Sequence, residues 1–260
     1  MTMRRARVCL AALPLALAAC QTVPYTGRHH LLLVSQGEEK SLGLQAYQDT
    51  LKKAKLSTDH ENVELIRRIG RRLAAVADRP DFQWEFNLID DPKTVNAFCL
   101  PGGKVAVYSG ILPVAKGEDG LAVVMGHEIA HALARHGSER MSQGMIAQFG
   151  GQALSVLLSG QSAAAQSIYG QAYGLGVNVG VLLPFSRGQE SEADHIGLIL
   201  MAKAGYDPEH ALEFWKRMET ASGSSGPSVV NFLRTHPSDV KRQEQIRDWL
   251  PEIREKYYHP

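Results

Sequence analysis

The stretch Leu121-Ala122-Val123-Val124-Met125-Gly126-His127-Glu128-Ile129-Ala130-His131 constrains this chain more than any other. Its apolar residues suit a helix buried on most sides. On such a helix the two histidines, four residues apart, stand one turn apart on one face, so both imidazoles can reach a single metal ion. Glu128 projects about 100° around the axis from His127, close enough to address a metal-bound water without ligating the metal. Two fixed ligands, an open coordination position and a base are what zinc-dependent peptide hydrolysis requires. A chain of this composition would produce the H-E-x-x-H pattern by chance about 0.02 times, so coincidence is a poor explanation.

Length and composition fit one globular domain: 44% hydrophobic and 21% charged are ordinary values for a packed soluble protein. The formal charge of +1 offers no basic excess for a nucleic-acid partner. The first residues change that figure. Arg4, Arg5 and Arg7 precede an apolar stretch from Val8 to Ala19 that is too short to span a bilayer comfortably. It closes in Leu17-Ala18-Ala19-Cys20, which resembles the lipobox of bacterial lipoproteins, where the cysteine is lipidated and becomes the first mature residue. We therefore expect residues 1–19 to be a lipoprotein signal peptide, residues 20–260 a single metallopeptidase domain, and Cys20 the lipidation site. Gln21 is not the aspartate of an inner-membrane retention signal, so the expected location is the periplasmic face of the outer membrane. Removing residues 1–19 takes away three arginines and no acid, leaving 25 basic against 27 acidic residues, a formal −2. Cys9 would leave with the signal and Cys20 would be acylated, so Cys99 stays as a thiol and no intrachain disulfide can form.

The elements can be placed coarsely. Ser35 and Glu38 form a capping box ahead of a helix over Gln36–Leu56, and Thr58 with Glu61 repeats the signature. Val63, Ile66, Ile69, Leu73 and Val76 then line one helical face, with Arg67, Arg68, Arg71 and Arg72 around the other sides. Phe82–Leu88 alternates as a half-buried strand does, and Val95–Leu100 and Lys104–Tyr108 are two more strands joined by the turn Pro101-Gly102-Gly103. Such a sheet could offer an edge strand to an extended peptide. Gly150–Pro184 carries no charge until Arg187 and reads as helical hairpin or lid material. Asp207-Pro208 opens a helix, Ser222–Pro227 reads as a loop, and a last helix from about Ser238 ends at Pro251.

Catalytic zinc usually takes three protein ligands. A third histidine six residues past His131 is missing, because position 137 is Gly137. Downstream, Glu190, Glu192, Asp194 and His195 are on offer. On a helix Glu190 and Asp194 share a face and Glu192 points elsewhere, so one of that pair can bind zinc while the other orients a ligand histidine.

Asn96-Ala97-Phe98, Pro101-Gly102-Gly103, His127-Glu128-x-x-His131, Ser186-Arg187-x-x-Glu190-x-Glu192-Ala193-Asp194 and Thr235-His236-Pro237 follow one another in this order. Together they resemble the HtpX/BepA/LoiP-type zinc metallopeptidases, a family that also holds the CAAX prenyl endopeptidases. The likeness covers about Tyr25 to Leu250. It implies an α+β, mainly helical, zincin-like (gluzincin) domain with a small β-sheet beside the H-E-x-x-H helix. It implies one zinc ion per chain, held by His127, His131 and Glu190, with Asp194 behind them and Glu128 as the catalytic base. It implies that His236 is either a regulatory fourth ligand or an oxyanion group. Asn96, on the edge strand, is either a substrate contact or a turn-capping asparagine. Polypeptides of the cell envelope, misfolded or misassembled, are the implied substrates. An alternative role is a chaperone-like factor that meets the outer-membrane assembly machinery and keeps its active site mostly closed. The chain has neither the helical repeats of BepA nor the membrane spans of HtpX, so it resembles the short lipoprotein branch. Cys99 stands where the family pattern more often has alanine.

Overall fold

A computed structural model describes residues 20–146, 185–224, 227–236 and 240–259. The lipobox up to Ala19, the candidate lid over 150–184 and Pro237 lie outside the described residues. The chain divides into two compact units, residues 1–38 with 135–183 and residues 39–134 with 184–260.

In the first unit, β1 (Cys20–Thr22) pairs antiparallel with β2 (His29–Leu31), with Cys20 opposite Leu31. The arm that follows is tied to residues 135–142, the chain just beyond His131. Arg28 makes a two-pronged contact of 2.8 Å with Glu139, the Leu33 amide donates to Ser142 Oγ, and Arg135 donates to the Val34 carbonyl.

Most of the described helices lie in the second unit, and the first of them begins at the boundary between the two. The Ser35–Glu38 box forms as expected, each side chain bonding the other's backbone amide, and opens α1 (Gln36–Lys53). The next cap is Asp59, not Thr58, because its carboxylate accepts from the Asn62 amide; it starts α2 (His60–Val76). The arginines of α2 are engaged in ion pairs: Arg67 and Arg71 with Glu64, Arg68 and Arg72 with Glu118.

Strand β3 (Glu85–Ile89) begins three residues later than the alternation suggests. The Gln83 amide bonds to Gly102 in the turn before the regular ladder starts. β4 (Ala97–Leu100) and β5 (Lys104–Tyr108) form the expected hairpin, with Gly102 and Gly103 at φ 88° and 83°, a region that favours glycine. The sheet order is β3-β5-β4, with β3 parallel to β5, so β4 is an edge among the described strands.

A helical turn (Leu112–Ala115) leads into α3 (Glu118–Leu133), nearly all of whose side chains are buried, as its apolar run requires. α4 (Arg187–Lys203) opens on a complete capping box, Ser186 with Gln189. α3 and α4 cross at Gly126 and Gly197. A Cβ on Gly197 would stand 3.1 Å from the His127 backbone nitrogen, so the absence of side chains sets how near the two helices come.

α5 (His210–Ser224) runs on through Ser222, Gly223 and Ser224, which the composition suggested were loop; α6 is Pro227–Thr235. Asp207 accepts from the Glu209 amide in a turn just ahead of α5. α7 (Val240–Tyr257) does not stop at Pro251. The buried stripe Ile246, Leu250 and Ile253 continues across it, and Arg254 beyond it pairs with Asp207 and Glu209. Packing on both sides of the proline outweighs its missing amide. No described helix is long and apolar enough to cross a membrane.

Candidate metal centre

Helix α3 brings His127 and His131 to one face, α4 supplies Glu190 from its first turn, and the residue after α6 supplies His236. All four are buried, and one donor atom from each lies within 4.8 Å of the others. Four of the separations are 3.0–3.4 Å. His131 Nε2 is 3.0 Å from His127 Nε2, and His127 Nε2 is 3.3 Å from His236 Nδ1. Glu190 Oε1 is 3.1 Å from His236 Nδ1 and 3.4 Å from His131 Nε2. Ligands bound tetrahedrally about 2.0–2.1 Å from a zinc ion stand about 3.3 Å from one another. Three imidazole nitrogens and one carboxylate oxygen at this spacing fit such an ion.

The support around the donors is equally specific. Asp194, one turn along α4 from Glu190, contacts His127 Nδ1 at 3.0 Å, which leaves Nε2 facing the donor group. Burial draws His127 toward its neutral form, but Asp194 and Glu190 outweigh it and bring its pKa up to about 9. Glu192 is also buried but does not join the donors, in keeping with its place on the helix.

Glu128 lies beside the cluster, 3% exposed; among the described residues its Oε1 has no hydrogen-bond partner, and His236 Nε2 is 3.5 Å away. Burial raises the Glu128 carboxyl above the ordinary carboxylate value, against the pull of His236 and His127. A carboxylate made more basic in this way is better matched to proton transfer near neutral pH.

Sequence reasoning missed Arg242. This buried arginine on α7 contacts Glu190 Oε2 at 2.8 Å, grips Asp194 through Nε and Nη2, and lies 3.8 Å over the Trp215 ring. Burial penalises both carboxylates, yet Arg242 holds Glu190 well below the usual carboxylate range and Asp194 below it as well. Its one signal in the sequence is a cation on the helix after His236, which any solvated helix face would also show.

Asn96 accepts from the Ala97 amide through its side-chain oxygen at 2.9 Å, a local cap at the start of β4. Cys99 on β4 is half-buried, and burial pushes its thiol up, away from the reactive thiolate.

The sequence profile described as Peptidase family M48 matches residues 60–250, which takes in β3 to β5, the H-E-x-x-H helix, Glu190, His236 and Arg242. This chain belongs to peptidase family M48. Its helical domain with a small sheet and a His/Glu donor group is that of a gluzincin metallopeptidase. A relative named mitochondrial metalloendopeptidase OMA1 from Schizosaccharomyces pombe is 42% identical over 237 residues, 90% of this chain and 67% of its own length. The protein of the same name from Saccharomyces cerevisiae is 37% identical over 67% of this chain and 49% of its own. The beta-barrel assembly-enhancing protease of Escherichia coli is 28% identical over 246 residues, 91% of this chain and 48% of its own. The chain thus spans between about half and two thirds of the length of these M48 relatives.

Proposed function

We propose that this M48 member is a zinc-dependent endopeptidase of the bacterial envelope that cleaves misfolded or misassembled envelope proteins. One observation carries the chemistry: four donors converge within 4.8 Å of one another beside a buried carboxylate, Glu128, one of whose oxygens has no hydrogen-bond partner among the described residues. His127, His131 and Glu190 would hold the zinc ion. When bound, zinc lowers the pKa of a coordinated water toward neutrality and polarises a carbonyl oxygen. Glu128 takes the proton from the attacking water and returns it to the departing amine. Asp194 keeps His127 in the tautomer whose Nε2 is free to ligate, and Arg242 keeps Glu190 and Asp194 anionic.

His236 is the resting occupant of the fourth donor position, a regulatory ligand in this reading. Its Nδ1 stands among the donors at 3.1–3.3 Å, closer than its Nε2 stands to Glu128. Water gains access to that position only once His236 withdraws.

The envelope assignment rests on the charged and apolar opening of the chain, on its Leu17-Ala18-Ala19-Cys20 ending, and on the likeness to the Escherichia coli protease. Cys20 is the lipid anchor and the outer membrane the site of action; the other relatives quoted are mitochondrial by name. The same resting occupant favours a second reading, an assembly factor working with the outer-membrane machinery while its site stays closed. Complementation of a deletion strain by wild type and by Glu128→Gln separates the two. The peptidase role predicts failure of the variant, and full rescue would transfer the function to assembly.

A further inference from the structure

The donor cluster is walled by aromatic rings, and one of them joins two segments that carry donors. Phe185 directly precedes Ser186, the N-cap of α4. Its ring stacks on His131 at 3.9 Å between centroids and 27° between planes, and lies 5.3 Å from the His236 ring at 35°. Phe232, one turn earlier on α6, stacks on His236 at 4.8 Å and 26°. The backbone adds a tie: the Phe185 amide donates to the Thr235 carbonyl at 3.1 Å, fixing the residue next to His236. The next residue, Ser186, forms the capping box with Gln189 that starts α4. The His236 amide donates to the Phe232 carbonyl, and its Nδ1 lies 3.1 Å from Glu190 Oε1.

We propose that Phe185 is the positioning residue that keeps His236 seated among the donors, so that losing its ring shifts the site toward the open form. This rests on His236 being the resting fourth ligand. The contact between the Phe185 and His236 rings exists only while His236 points inward and is lost when His236 swings out, whereas the stack of Phe185 on His131 does not depend on His236. One aromatic contact of this kind shifts a two-state ratio by roughly 3–10-fold. The backbone tie at Thr235 survives any substitution of the Phe185 side chain, so the ring can be tested by itself.

The test uses the zinc-loaded protein and the affinity of acetohydroxamate, a small metal-binding probe that needs the position His236 occupies, measured by calorimetry. His236→Ala should tighten binding. Phe185→Leu, which keeps apolar bulk and removes the ring, should tighten it roughly 3–10-fold, and Phe185→Tyr should bind as wild type does. In a His236→Ala background, Phe185→Leu should change nothing further. If His236→Ala tightens binding and Phe185→Leu does not, Phe185 has no hold on His236 and the inference fails while the resting-ligand reading stands. An equal Phe185→Leu effect with and without His236 also overturns it, since the ring would then act through His131. If His236→Ala leaves affinity unchanged, the resting-ligand reading falls and takes this inference with it.

Discussion

Arg242 shows how much of this site is decided by contacts between residues far apart in sequence. It is 48 residues from Asp194 and 52 from Glu190, yet it bonds to both carboxylates and covers Trp215. Replacing it with methionine keeps much of the volume and leaves two buried carboxylates facing each other. Breaking a buried pair from one side typically costs about 3–5 kcal/mol. We expect Arg242→Met to lower the urea midpoint markedly in the metal-free protein and by less with zinc bound, since a cation at Glu190 replaces part of the lost charge. An unchanged metal-free midpoint would mean that Arg242 does not hold these groups. His127, Glu128 and His131 were legible from the sequence because helical geometry alone brings them together. Glu190 and Asp194 were legible as a pair by the same spacing, and the family resemblance assigned which of them is the ligand. Arg242 and Phe185 give no local signal, because their meaning comes from which helix crosses which.

Among the elements, the same division holds. The apolar stripe of α2, the Ser35 cap and the Pro101-Gly102-Gly103 hairpin follow from short-range rules, and all are present. The parallel pairing of β3 with β5 does not follow from them, and neither does the run of α7 through Pro251, which is set by burial of Leu250 and Ile253 on either side. The crossing of α3 and α4 is the contact on which the metal centre depends. Gly197→Val would push side-chain atoms onto the His127 backbone, already only 3.1 Å from where a Cβ would sit. Overpacking of this kind costs about 1–3 kcal/mol. The variant should lose thermal stability and bind zinc more weakly in chelator competition, because Glu190 moves with α4. Wild-type zinc affinity would show that the crossing does not set the donor spacing.

At the scale of the whole molecule, the first unit ties the arm that follows Cys20 to the chain just beyond His131, through Arg28–Glu139 and Arg135–Val34. In the proposed reading Cys20 carries the lipid anchor. Cys20→Ser should leave the protein unprocessed or release it into the soluble fraction, read by fractionation and by the mass of the mature N-terminus. A correctly processed variant that still sediments with membranes would move the anchor elsewhere in the chain. The central claim is that one metal ion, held by His127, His131 and Glu190, serves a reaction whose proton is carried by Glu128. The most direct measurement is the turnover of a quenched fluorescent peptide by Glu128→Gln, with zinc content determined on the same sample. The account predicts about one zinc per chain, as in wild type, and turnover lower by roughly 10²–10⁴-fold. Wild-type turnover at full zinc occupancy would contradict it.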